Sequence, residues 1–110
     1  MMATAKIDAG VCGFHTRSNA TSADGMLVDF HIQSDCEKIR VFAESLASKG
    51  PINAYEEISP ASQSVIMTTG REYLQGCCAG CAVPVGIFKS MQVAAGLALP
   101  KDIVIHMEKA

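Results

Sequence analysis

The stretch MLVDFHIQSDCEKIRVFAESLASKG, from Met26 to Gly50, contains two patterns of different period. Its first nine residues alternate between apolar and polar side chains, which is typical of a strand with one buried face. The apolar face comprises Met26, Val28, Phe30 and Ile32, and the polar face comprises Asp29, His31 and Gln33. This segment predicts a half-buried β-strand.

After Ser34 the apolar period changes to that of a helix. Ser34 and Glu37 match the S-x-x-E pattern of a capping box at a helix N-terminus. Gly50 followed by Pro51 predicts the helix end. The apolar stripe at spacings i, i+3, i+4 and i+7 consists of Ile39, Phe42, Ala43 and Leu46.

The segments before Met26 predict one further strand and a turn. Lys6 to Thr21 alternates imperfectly, and we expect a strand with a bulge or a close backbone approach around Cys12, which lies between Gly10 and Gly13. The pair Asp24-Gly25 predicts a hairpin turn into the next strand.

The segments after Gly50 predict two more helices and a final strand. Ile52 to Ile58 is expected to be a loop or an edge segment. A second helix is expected from Ser59-Pro60 to about Leu74, although Gly70 weakens this prediction. A third, apolar nearly all round, is expected from Pro84 to Leu99, because proline suits a first helical turn and Pro100 would end the helix. Asp102 to Lys109 predicts a strand with Ile103, Ile105 and Met107 on its core face.

The predicted order is therefore β-β-α-α-α-β in a single domain, residues 1–110. The simplest architecture for this order is α+β, with an antiparallel sheet of about three strands and the helices packed on one face.

Composition excludes several classes of function. A hydrophobic content of 49% with 18% charged residues indicates an ordered globular chain. The net charge is −2 and the nine basic residues are scattered, so we expect no nucleic-acid partner. We find no apolar run of roughly 18–20 residues and expect no membrane span. The opening MMATAKIDAG has no apolar signal region, so a cytoplasmic location is predicted.

The five cysteines are the main indication of function. Thiols stay reduced in the cytosol, where cysteine clusters are more often metal ligands, redox groups or buried hydrophobes than disulfides. Cys36 and Cys81 are predicted at helix N-termini, where the helix dipole lowers a thiol pKa. Cys78 and Cys81 form a C-x-x-C pair, whose spacing allows both sulfurs to bind one ion or cluster.

A four-sulfur site formed by Cys12, Cys36, Cys78 and Cys81 is the leading hypothesis, with Cys77 as the spare thiol. Four thiolates suit zinc or an iron–sulfur cluster. Two alternatives stay open. All five cysteines could be inert residues of the core of a protein-interaction or small-ligand module, or one exposed thiol could do redox work with a resolving neighbour.

Other polar residues give weaker indications. His31 and His106 would lie near each other and Asp29 if their strands pair, and His15 is an alternative ligand beside Cys12. The pair Glu56-Glu57 is expected to be a solvated turn. We find no nucleophile elbow, phosphate loop or zinc-protease helix.

Three blocks of the sequence resemble a family of small uncharacterised proteins associated mainly with anaerobic microbes. The blocks are DAGVCGF (8–14), SDCEKI (34–39) and CAVPVGIFKSMQVAAGLALPKD (81–102). The resemblance implies a compact single domain with cysteines at the places of Cys12, Cys36 and Cys81, and it implies no activity. It leaves the fourth ligand open between Cys77, Cys78, a water and none, and it favours iron–sulfur chemistry over zinc.

The function predicted from the sequence is metal or iron–sulfur binding in a structural or accessory role rather than catalysis. The sequence names no protein partner and leaves a homodimer open.

Overall fold

The structure, a computed structural model, describes all 110 residues. Four antiparallel strands form one sheet in the order β1-β2-β3-β4, and four helices accompany it, so the predicted α+β class is confirmed. The strands are β1 (Met2–Asp8), β2 (His15–Thr21), β3 (Leu27–Ser34) and β4 (Ile52–Asn53). The helices are α1 (Glu37–Ser48), α2 (Ala54–Glu57), α3 (Val65–Tyr73) and α4 (Val83–Ala94).

The helices cover one face of the sheet. Helix α4 packs on β1 and β2, α1 packs on β3, and α3 lies against both α1 and α4. The interior is built from apolar side chains of the sheet and all four helices, including Ala20, Val28, Ile39, Phe42, Leu46, Ile66, Val83, Ile87 and Met91. The opposite face of the sheet is polar, as period-2 alternation requires.

The N-terminal segment is a hairpin rather than one bulged strand, so the prediction of a strand over Lys6–Thr21 is wrong. Strands β1 and β2 pair from Met2 opposite Thr21 to Asp8 opposite His15. Between them, Gly10 (φ 89°) and Gly13 (φ 74°) adopt the left-handed conformation, and the Gly13 N–H donates to the Gly10 carbonyl at 2.9 Å. Cys12 therefore lies in an exposed loop and not on a strand.

The unit predicted from Met26 to Gly50 is confirmed except for its cap. Strand β3 follows the Asp24-Gly25 turn, and α1 buries Ile39, Phe42 and Leu46. The capping box predicted for Ser34 and Glu37 is wrong, because Cys36 is the N-cap residue and no side chain caps it. Ser34 Oγ instead accepts the Cys36 N–H at 3.1 Å.

Helix α3 begins at Val65, later than the predicted Ser59-Pro60, because its cap lies downstream. Ser64 Oγ accepts the Met67 N–H at 3.0 Å. The buried Glu57 carboxylate accepts the Val65 N–H at 2.6 Å and the Ile66 N–H at 2.9 Å. Glu57 is therefore a buried cap and not part of a solvated turn, which corrects the expectation for this residue.

Helix α4 begins at Val83 with Pro84 in its first turn, as predicted, but ends at Ala94 rather than Leu99. Gly96 (φ 76°) follows the helix, with its N–H on the Val93 carbonyl and the Leu97 N–H on the Gln92 carbonyl. These two hydrogen bonds form a Schellman motif, which ends a helix at glycine.

The predicted strand over Asp102–Lys109 is not formed, because these residues are exposed and no neighbouring strand pairs with them. The expected approach of His106 to His31 fails with it. The His106 side chain instead bonds the carboxylate of Glu108 within the same tail, at 2.9 Å.

The apolar segment Gly76–Ala94 is 19 residues long and apolar enough to span a membrane by length and composition alone. The core helix of a soluble protein meets the same criterion. In this fold the segment includes α4, whose residues Val83, Ile87 and Met91 are buried against the rest of the domain.

Two close contacts fix the position of α4. A Cβ atom at Gly86 would lie 2.4 Å from Ile7 Cδ1, and one at Gly70 of α3 would lie 3.1 Å from Pro84 Cγ. A buried hydrogen bond of 3.1 Å between the hydroxyls of Ser18 and Ser90 joins β2 to α4. The helix thus meets the sheet and α3 at contacts that permit little displacement.

Replacing Gly86 with alanine is expected to destabilise the domain by about 1–2 kcal/mol. The cost of overpacking against Ile7 exceeds the gain in helix propensity from glycine to alanine, which is about 1 kcal/mol. In an Ile7→Ala background the same substitution is expected to stabilise. Urea denaturation of the four proteins measures both effects. Equal effects in the two backgrounds would contradict the proposed contact.

The change Glu57→Gln is expected to lower the free energy of unfolding by about 1–3 kcal/mol, because the amide cannot accept from all of the N–H groups at the start of α3. Urea denaturation gives the value. The matched control is the exposed neighbour, Glu56→Gln, for which a change within about 0.5 kcal/mol is expected. Similar losses in the two variants would refute the capping role.

Candidate functional site

The four cysteines of the predicted site lie on three separate segments of the chain, with Cys78 and Cys81 on the same one. Cys12 is in the β1–β2 loop, and Cys36 immediately precedes α1. Cys78 ends a short 3-10 turn (Gly76–Cys78), and Cys81 lies two residues before α4. The strand ends and helix starts that bear them meet at the same end of the sheet, which we call the cysteine end.

Burial differs among the five thiols. Cys36, Cys78 and Cys81 are half-buried and pack against the hydrophobic core. Cys12 and Cys77 are exposed. The five cysteines are therefore not all core residues, which weighs against the interpretation that they simply fill the interior.

Cys81 is the electrostatic centre of the group. Burial raises the pKa of its thiol, and negative charge on the neighbouring Cys12, Cys36 and Cys78 raises it further, against an opposing hydrogen bond from the Val83 N–H. The expectation that the start of α4 lowers this pKa is thus wrong, because desolvation and like charge exceed the effect of the backbone N–H.

The C-x-x-C segment is a tight turn held from two sides. The Cys81 N–H donates to the Cys78 carbonyl at 3.1 Å, so the two small residues between them allow the chain to reverse. Arg71 Nη1 donates to the Ala79 carbonyl at 3.4 Å. The turn therefore presents Cys78 and Cys81 together, whereas the exposed Cys77 is not among the groups that influence Cys81.

Lys38 supplies the nearest cation to these thiols. Its ammonium Nζ lies 3.7 Å from Cys78 Sγ and can donate to it. Lys38 is not among the site residues predicted from the sequence. Its position in the first turn of α1, two residues after Cys36, was the available signal, because a side chain there extends past the helix N-terminus.

No three side chains of Cys, His, Asp or Glu form a group that could hold a metal ion. The thiols of Cys12, Cys36 and Cys78 are close enough to Cys81 to influence its pKa. Neither His15 nor His31 completes such a group. The His15 backbone N–H donates to Asp35 Oδ2 at 3.2 Å, and His31 is exposed on β3.

A comparison with protein families gives one match, which covers residues 3–107. The matching model is described as a family of unknown function, DUF6951. The chain belongs to this family. The comparisons with curated proteins and with solved structures found no match. Membership in DUF6951 confirms the predicted resemblance to an uncharacterised family, and the matched range includes all five cysteines.

The raised pKa of Cys81 predicts slow alkylation in the reduced, metal-free protein, with a rate that rises to a midpoint above pH 9.0. We expect this midpoint to fall in Cys36→Ser and Cys78→Ser, because each change removes a like charge. Burial is expected to keep the midpoint above the ordinary thiol value in both variants. Iodoacetamide labelling followed by peptide mass spectrometry at several pH values measures the midpoint.

Cys77→Ser is the control for this series and is expected to leave the Cys81 midpoint unchanged. Because the folded pKa exceeds the unfolded one, the contribution of Cys81 to stability is present below about pH 9 and is lost as pH rises through the folded pKa. If the Cys81 midpoint is the same in Cys36→Ser and Cys78→Ser as in the unchanged protein, the thiols are farther apart than described.

Proposed function

We propose that the cysteine end binds an iron–sulfur cluster through Cys12, Cys36, Cys78 and Cys81, in a structural or accessory role. The observation that supports this most directly is the position of Cys81, half-buried and within electrostatic reach of the other three thiols. These four residues come from three separate segments of the chain, and a packed interior alone does not require them at one place.

The electrostatics of the group favour a bound cation. Burial, and then repulsion between neighbouring thiolates, raise the pKa of Cys81, so its proton is hard to remove in the free protein. A metal centre replaces such protons and offsets the repulsion, and its binding therefore releases protons. Lys38, near Cys78, would add a hydrogen bond of the kind that adjusts the potential of a cluster.

The choice of a cluster over a single zinc ion rests on ligand geometry. Zinc needs its sulfurs about 2.3 Å from one common point. No three Cys, His, Asp or Glu side chains form a group that could hold a single metal ion. In an iron–sulfur cluster the thiolates bind different iron atoms, so the four sulfurs need not share a single point. Because Cys12 is exposed, a cluster here would lie at the surface, within reach of a partner.

The two other interpretations have less support. Inert packing does not explain the exposure of Cys12 and Cys77. Thiol redox chemistry requires an accessible thiol with a low pKa, and Cys81 does not fit that role, because burial and like charge raise its pKa.

The test is to purify the protein without oxygen and to measure iron, zinc and acid-labile sulfide per chain. We expect iron and sulfide in equal amounts and a visible absorption band. Serine at position 12, 36, 78 or 81 is expected to reduce both contents, since each change removes one ligand. The matched control, Cys77→Ser, removes a thiol from the same segment and should keep the cluster.

Circular dichroism of each variant separates loss of ligand from loss of fold. If the protein contains zinc and no sulfide, the site binds a single zinc ion and the cluster proposal is wrong. A folded protein that contains no metal and cannot be reconstituted with iron and sulfide would refute the proposal. Equal losses in Cys77→Ser and Cys78→Ser would refute the assignment of the fourth ligand.

A further inference from the structure

The C-terminal tail (Pro100–Ala110) is exposed throughout and pairs with no strand. Its large apolar side chains Ile103, Val104, Ile105 and Met107 are between 53% and 86% exposed. β-branched residues at this density favour a strand, and alternate positions put Ile103, Ile105 and Met107 on one face. The tail thus has the pattern of a half-buried strand and no partner within its own chain.

Strand β3 has a free edge of matching length. Strand β4 pairs with it only at Leu27 and Val28. The Asp35 N–H donates to the opposite His15 carbonyl at 3.1 Å, which fixes which residues of β3 face β2. By alternation along the strand, Phe30 and Ile32 direct their backbone groups away from β2, towards the free edge.

A groove of about 400 Å³ accompanies this edge, between β3 and the outer side of α1. Its apolar lining includes Phe30 and Ile32 of the strand and Ala43 and Ala47 of the helix, whose small side chains leave room. Arg40 donates to the Ser34 carbonyl at 3.0 Å and closes the far end of the edge. The open part runs over residues 29–33, about the length of the apolar part of the tail.

The tail of the same chain is badly placed to reach this groove. Helix α4 ends beside the β2–β3 turn, where the Ala95 carbonyl oxygen is 3.5 Å from the Cβ position of Gly25. The connection from α1 to β4 (residues 49–51) runs at that same end of the sheet. A tail that leaves α4 there would have to cross this connection, and connections at one end of a sheet rarely cross.

We propose that the segment 102–107 adds as a strand to the free edge of β3 in a second copy of the chain, so that two chains exchange tails. Ile103, Ile105 and Met107 then lie in the groove against Phe30, Ile32, Ala43 and Ala47. The exchange satisfies the backbone groups of Phe30 and Ile32 and covers the apolar face of the tail. The DUF6951 match extends to residue 107, so this segment lies within the family domain.

The first experiment is sedimentation of the full chain and of a chain ending at Lys101, over a range of concentrations and with reductant present. Reductant excludes disulfide-linked dimers formed through exposed Cys12 or Cys77. We expect a reversible dimer for the full chain and a folded monomer for the shortened one. A dimer that persists without the tail would overturn the proposal.

Point variants test the predicted faces of the tail. Ile105→Asp places a charge in the groove and is expected to weaken dimerisation on the order of tenfold or more. Val104→Asp is the matched control, because position 104 faces away from the groove, and little change is expected. Ala47→Arg, at an exposed position on the groove wall, should weaken dimerisation as Ile105→Asp does. Equal effects at positions 104 and 105 would refute the assigned face.

Amide hydrogen exchange locates the docked strand. The N–H groups of Phe30 and Ile32 are expected to be protected in the full chain and to exchange freely in the shortened one. Protection of the Thr4 and Lys6 N–H groups instead, which face away from β2 on the free edge of β1, would mean that the tail pairs with β1. Protection of Phe30 in a monomer would mean that the tail folds onto its own chain. Each result would overturn the exchange, and neither depends on the iron or sulfide content.

Discussion

Helix α4 approaches strand β1 so closely at Gly86 that a methyl group there would overlap the side chain of Ile7. On its other side, the first turn of α4 touches α3 through Pro84 and Gly70. These two contacts set the depth and direction of the helix start. Because Cys81 lies directly before this turn, its position relative to the β1–β2 loop and the start of α1 depends on two residues that have no side chain.

The cysteine end shows how packing and chemistry are linked in this domain. Three of the thiols are held half-buried by the same helix starts that complete the core, whereas Cys12 lies on a glycine-bounded loop. Burial and like charge make the thiolate form of Cys81 unfavourable. In the proposed cluster a metal centre would replace the proton of this thiol, and its binding would tie the loop to α1 and α4.

Local patterns predicted the parts of the fold that depend on nearby residues. The change of apolar period at Ser34 predicts β3 and α1, and the pair Asp24-Gly25 predicts the turn before them. The two glycines around Cys12 were interpreted as a bulge, although their spacing also fits a loop between two strands. The tail was predicted as a strand because its alternation resembles one, but the partner of a strand is not encoded nearby. Of the candidate site, the spacing of the cysteines predicts the four residues involved. The direction predicted for the pKa of Cys81 is wrong, because burial and neighbouring thiols are set by tertiary packing.

The hydrogen bond between Ser18 and Ser90 has a consequence for how the sequence can vary. Two buried hydroxyls that pair contribute little more than two alanines would, but a displacement of α4 by one turn would leave Ser18 unpartnered at a cost of about 1–3 kcal/mol. The Ser18–Ser90 hydrogen bond therefore favours one axial position of α4 over positions displaced by a turn. A relative with apolar residues in place of both serines would keep its core. It would lose the polar contact that fixes the axial position of α4, and with it the position of Cys81 relative to Cys12, Cys36 and Cys78.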